Sequence, residues 1–73
     1  MPEVREEPDR LLRLSEVSRR VGLGKSMIYD LIKRGLFPKQ YKISPFAARW
    51  SEREILAWIA EVKEGFEGKR RNF

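Results

Sequence analysis

Residues 15–35, SEVSRRVGLGKSMIYDLIKRG, hold two short runs of helical periodicity split by Gly22-Leu23-Gly24. Such spacing admits little besides two helices meeting at a tight turn. In the first run Val17 and Val21 lie four apart on one face. Ser15 offers an oxygen to cap its start, Glu16 suits the positive end of the helix dipole, and Gly22 ends it. The second run begins near Gly24 or Lys25, and its Ile28, Leu31 and Ile32 fall at i, i+3 and i+4, the stripe of a core-facing helix. Gly35 stops it just after Lys33 and Arg34, two cations where the dipole favours them. Its opposite face reads Lys25, Ser26, Tyr29, Asp30 and Lys33, and positions 26, 29 and 33 form a stripe that no apolar pattern explains.

Charge is concentrated around these helices. The chain carries a net +5, but residues 1–10 are acidic, and Val17 to Ser51 holds Arg19, Arg20, Lys25, Lys33, Arg34, Lys39, Lys42 and Arg49 against the single acid Asp30. A basic balance alone reports only on solubility and nonspecific attraction. Coincidence with a two-helix turn unit is more specific, because such a unit lays its second helix in the major groove of double-stranded DNA. The competing reading is a solvated basic face on an ordinary small helical domain.

After Leu36 the helical period disappears, since Pro38 and Pro45 forbid a continuous helix. Lys39-Gln-Tyr-Lys-Ile43 alternates as a strand, with Tyr41 and Ile43 on one side and Gln40 and Lys42 on the other. Ser44-Pro45 signals a turn and Ala48-Arg49-Trp50 a returning strand, so a two-stranded β-hairpin is expected over about 39–50. Ser51-Glu-Arg-Glu54 is a capping box, and it introduces a helix over about 52–64 whose buried stripe is Ile55, Trp58, Ile59 and Val62. Trp50 and Trp58 are assigned to the core. The expected fold is α+β, a small winged helix-turn-helix of three helices with a two-stranded hairpin wing. Residues 1–10, with two prolines and mixed charge, read as a disordered leader, 11–64 as the folded domain and 65–73 as a basic flexible tail beyond Gly65. Leu11, Leu12 and Leu14 supply either a short strand or an apolar anchor.

Composition removes several functions. Seventy-three residues make one domain at most, one that buries only about 60% of its unfolded surface and leaves little room for an enclosed active site. With no Cys and no His there are no disulfides, no thiolate or imidazole metal ligands, and no commonest general base. A non-enzymatic protein without a cofactor is expected. GLGKS resembles the end of a phosphate-binding loop, but Arg19 stands where that pattern requires a glycine. The longest apolar run, Ile55 to Ala60, is far short of the roughly 20 residues that span a bilayer, and the charged start is unlike a signal peptide. A cytoplasmic protein, associated with the nucleoid through DNA, is expected.

Candidate contacts fall into two groups. Lys25, Ser26, Tyr29 and Lys33 are candidates for reading bases, because Lys donates to guanine O6 and N7, Ser donates or accepts, and Tyr donates to a phosphate or packs on a thymine methyl. Arg19, Arg20, Arg34, Lys39, Lys42, Phe46 and Arg49 are candidates for backbone and wing contacts, which fix orientation without reading sequence. Asp30 either accepts from a cytosine amino group or pairs with Arg34 at i, i+4, the reading preferred here. Phe46, at the hairpin tip with no core to fill, either folds back on Tyr41 or protrudes as an apolar wedge.

The opening Leu-Arg-Leu, the Val-Gly-Leu turn, Ser26 with Ile28-Tyr29, Arg34-Gly35 before Phe37-Pro38-Lys39, and Trp50 with Ser51, Glu54 and Trp58 together resemble the AlpA family of prophage regulators, within the wider excisionase and MerR-like winged-helix group. The resemblance covers about residues 11–62. It implies a small winged helix-turn-helix that binds DNA near phage or island genes, as a transcriptional regulator or as a recombination directionality factor that bends DNA for an integrase. Two positions depart from the family pattern: Gly24 stands where a Ser or Thr cap is usual, and Phe46 where the wing tip is often Arg. Regulation of transcription is the favoured role, with RNA polymerase or a phage integrase as a further partner, no membrane, and a monomer in solution that binds repeated sites cooperatively. A module of another class, docking on a polymerase, integrase or response regulator through Tyr29, Phe46 and Phe66, is the rival.

Overall fold

The structure is a computed structural model that describes residues 8–70, with side chains through residue 65. In chain order it comprises β1 (Leu11–Leu12), α1 (Leu14–Val21), α2 (Lys25–Lys33), β2 (Tyr41–Ser44), β3 (Ala47–Ser51) and α3 (Glu52–Arg70). These are the three helices and hairpin of a small α+β winged helix-turn-helix. A third strand is added: the sheet is antiparallel in the order β1-β3-β2, with Leu12 opposite Trp50 and Leu11 opposite Ser51. The leucine run is thus a strand, and its partner lies too far along the chain to leave a local signal.

Leu12, Val17, Ile28, Phe37, Trp50 and Ile55 form the buried core, one residue from each element except β2, with Phe37 from the segment before the hairpin. Leu14, Val21, Leu31, Ile32, Trp58 and Ile59 pack half-buried around it. Trp50 sits at the centre, its ring edge-on to Tyr29 at 6.1 Å and its indole N–H donating to the Pro38 carbonyl at 3.1 Å. Trp58 is a flank rather than a core residue. Its ring meets Phe37 at 4.7 Å and its N–H reaches the Leu36 carbonyl at 2.8 Å, but one side stays open to solvent. The predicted stripe of α3 also fades outward, for Val62 is 45% exposed.

The helix-turn-helix is fastened at its turn. Gly22 has φ 72° and its N–H donates to Ser18 O at 2.8 Å. Ser18 Oγ donates to the Leu23 carbonyl at 2.6 Å, tying α1 to the turn. α2 ends in a Schellman motif, with Leu36 N–H on Leu31 O, Gly35 N–H on Ile32 O and Gly35 at φ 75°, the left-handed conformation that glycine adopts without penalty.

Helix starts depart from the predicted caps. Ser15 is not the cap of α1, which begins at Leu14 with Arg13, two residues before Ser15, in the cap position; there the Glu16 carboxylate accepts the Arg13 N–H at 3.0 Å. Ser51 does cap α3, accepting the Glu54 N–H at 3.2 Å. The Asp9 carboxylate joins it, accepting from the Ser51 hydroxyl and from the Arg53 N–H at 3.0 Å. Arg10 contributes its carbonyl to the Glu52 N–H at 2.8 Å. Asp9 and Arg10, predicted to belong to the leader, are therefore built into the start of α3, while residues 1–7 of that leader lie outside the described residues. At the other end α3 continues through Gly65 and Gly68 to Arg70, six residues past its predicted stop, since a glycine costs a helix only about 1 kcal/mol and does not forbid it. The rest of the predicted tail, residues 71–73, is outside the described residues. Among the described residues no helix is long and apolar enough to cross a membrane.

Candidate nucleic-acid interface

Lys25 and Ser26 form the exposed first turn of α2, and Lys33 lies exposed at its far end. Gly24 caps this helix with φ −80° and ψ 171° and no side-chain hydrogen bond, so the first N–H groups of α2 face outward without a side-chain acceptor. Ser26, Tyr29, Asp30, Ile32 and Lys33 line one shallow groove along the helix. The predicted stripe is thus gathered on one surface, with a qualification at Tyr29, whose ring is half-buried against Trp50 instead of standing free. Burial of Ile28 one residue earlier draws the 29 position toward the sheet. Tyr29 acts first as the packing link between α2 and β3 and presents only its outer edge to the groove.

The cations divide into two sets that their residue types did not distinguish. Arg34 pairs with Asp30 at 3.1 Å, the i, i+4 contact preferred from the sequence. Arg20 is held by Glu52 at 2.8 Å, where it ties α1 to α3. Arg10 approaches the same carboxylate at 3.6 Å and Glu16 at 3.3 Å. Arg49 is half-buried, its guanidinium donating to the Ala48 carbonyl at 2.9 Å. By contrast Arg19, Lys25, Lys33, Lys39 and Lys42 are exposed and make no ion pair among the described residues. These five candidate contact residues remain to meet an anionic partner.

Register distributes the wing residues over two faces. In the hairpin Lys42 lies opposite Ala48 and Tyr41 opposite Arg49. Alternation puts Lys42 and Ala48 on the sheet face of Trp50, the face that meets α2 through Tyr29, and puts Tyr41 and Arg49 on the other. There Tyr41 donates its hydroxyl to Glu54 at 2.7 Å, and this carboxylate raises the phenol above its ordinary value of 10.0. The predicted pair Lys42 and Arg49 is therefore split, and only Lys42 shares a side with α2.

At the apex Pro45 and Phe46 turn the chain with no positive φ, and Ser44 Oγ accepts the Phe46 N–H at 3.3 Å. A loop of this hand does not match the twist of the strands as primed turns do, and the ladder is irregular between Lys42 and Ser44. Phe46 does not fold back on Tyr41. Its side chain is 98% exposed.

Asp9 and Glu16 keep their carboxyls below their ordinary values, the first chiefly through the Ser51 hydroxyl and the Arg53 N–H, the second chiefly through the Arg13 N–H and then the Arg10 guanidinium. Both act in capping and neither borders the groove of α2. Sequence reasoning missed Asp9, Ser18 and Glu52 as the groups that hold these elements in place. Asp9 and Glu52 answer partners more than 30 residues away, whereas Ser18, a hydroxyl one turn before a Gly-Leu-Gly turn, was legible as a turn lock.

Residues 10–63 match the family described as prophage CP4-57 regulatory protein (AlpA), which is most of the chain. The chain belongs to the AlpA family. It is also similar to the uncharacterized protein ORF88 of Enterobacteria phage P4, at 38% identity over 60 residues that cover 82% of this chain and 66% of that relative. No solved structure matches. Membership in the AlpA family identifies a phage regulatory protein, and the matched span contains α1, α2, both wing strands and the packed part of α3.

Proposed function

We propose that this AlpA-family protein is a sequence-specific DNA-binding regulator of transcription that sets α2 in the major groove and its wing on the adjoining backbone or minor groove. The observation that carries this reading is the unpaired, exposed set Lys25, Ser26 and Lys33 along α2, with Lys42 of the wing on the same side of the sheet. Helices docked in the major groove reach base edges from their first turns, where Lys25 and Ser26 stand. The uncapped N–H groups beside them suit a phosphate oxygen, aided by the positive end of the dipole. Lys39, Lys42 and Arg19 hold the flanking backbone, while Arg20, Arg34 and Arg49 shape the scaffold.

Reading and holding should fail differently on mutation. With a duplex selected from a random pool by the wild-type protein and a scrambled control, Ser26→Ala should cost about 1–3 kcal/mol on the selected duplex and much less on the control. Lys42→Ala should weaken both alike. Parallel losses from both substitutions would remove α2 as the reading element.

A further inference from the structure

Phe46 is the most exposed large apolar side chain among the described residues, and packing gives no reason for it. Three features make it a presented group. It stands at the apex of a hairpin; the residue before it is Pro45, whose ring fixes its own φ; and the Ser44 hydroxyl holds the Phe46 backbone N–H. A phenylalanine held in this way at the tip of a projecting ribbon costs hydration for no gain within the monomer. Its surroundings specify the partner. From residue 31 to residue 51 there is no acid, and Lys39 and Lys42 are exposed and unpaired. A surface that is cationic along its stem and apolar only at its tip is suited to a polyanion with an apolar interior, which describes duplex DNA: phosphates outside, stacked bases within.

We infer that Phe46 is a wedge that enters the minor groove and inserts between base pairs, so that this protein kinks the DNA it binds. The inference rests on the DNA-binding reading above, with α2 in the major groove and the wing reaching the next groove across one phosphate backbone. Apolar side chains inserted this way partly unstack one step and bend the duplex toward the major groove by about 20–90°. Pyrimidine–purine steps unstack most easily, so the wing selects such a step at a fixed offset from the bases read by α2. Sequence preference would then appear at a position where no hydrogen bond reads a base.

Four proteins test this: wild type, Phe46→Ala, Phe46→Leu and Phe46→Arg, on a duplex of about 30 base pairs selected from a random pool by the wild type. Bending is read by energy transfer between end labels, and unstacking by a 2-aminopurine placed at successive positions of the wing-side groove. Wild type and Phe46→Leu should bend the duplex and brighten one position, because leucine also wedges. Phe46→Ala and Phe46→Arg should lose the bend and the bright position, with thermal midpoints unchanged because the residue is almost fully exposed. Arginine should bind at least as tightly as alanine, since it replaces apolar insertion by a charge contact. A bend that survives in Phe46→Ala overturns the wedge and leaves DNA binding intact. Failure of the wild type to select any duplex overturns the DNA-binding reading and the wedge together.

Discussion

Trp50 and Trp58 carry the same side chain on adjoining elements, yet one is enclosed and the other leans on Phe37 with a face in water. Trp50→Ala should therefore cost about 3–5 kcal/mol, enough to abolish cooperative unfolding in a domain of this size, and Trp58→Ala about 1–3 kcal/mol. Thermal melts of the two variants check the order; equal losses would place both in the core. Asp9 offers a test by pH. Its carboxyl and that of Glu16 titrate below their ordinary values of 3.8 and 4.5, so the caps they form contribute stability that is complete above those values and is lost as the pH falls through the lowered, folded-state ones. Asp9→Ala should melt lower than wild type at pH 7, and the gap should narrow in acid below about pH 4. A gap independent of pH would mean that the Asp9 carboxylate is not what holds the start of α3.

Among the elements, the wing is where pattern and structure part. Alternation over 39–43 identified a strand, but all of Tyr41–Ser44 is exposed, so hydrophobic Tyr41 and Ile43 do not mark a buried face. What orients the hairpin is register, and register depends on the turn and on pairing with β1, neither of which short-range periodicity encodes. α1 and α2 were legible because their apolar stripes, glycine stops and turn are all local. Charge was legible only as a total. Whether Arg20 or Lys42 is available to a partner depends on Glu52, 32 residues after Arg20, and on which side of the sheet position 42 falls. Lys42→Ala should accordingly weaken DNA binding severalfold, whereas Arg49→Ala, on the far face with its guanidinium on Ala48 O, should change affinity little. Binding titrations on one duplex at one salt concentration check this. A larger effect at Arg49 would put the other face of the wing on the DNA.

Across the whole molecule, one small core serves as a mount. Trp50 joins sheet to α2 through Tyr29, Glu52 joins α1 to α3, and Ser51 with Asp9 fixes where α3 starts, so the two elements proposed to touch DNA are braced by these contacts, and of the braces Tyr29 also shows an edge to the α2 groove. The five unpaired cations on α1, α2, the wing and its approach then convert the arrangement into a number. If Arg19, Lys25, Lys33, Lys39 and Lys42 each neutralise a phosphate, the logarithm of the binding constant should fall against the logarithm of salt concentration with a slope of about −4 to −5. Titrations of a selected duplex at three or more salt concentrations measure it directly. A slope in that range, shallower by about one unit in Lys42→Ala, is the predicted result, and a nearly flat line would contradict an interface built on these cations.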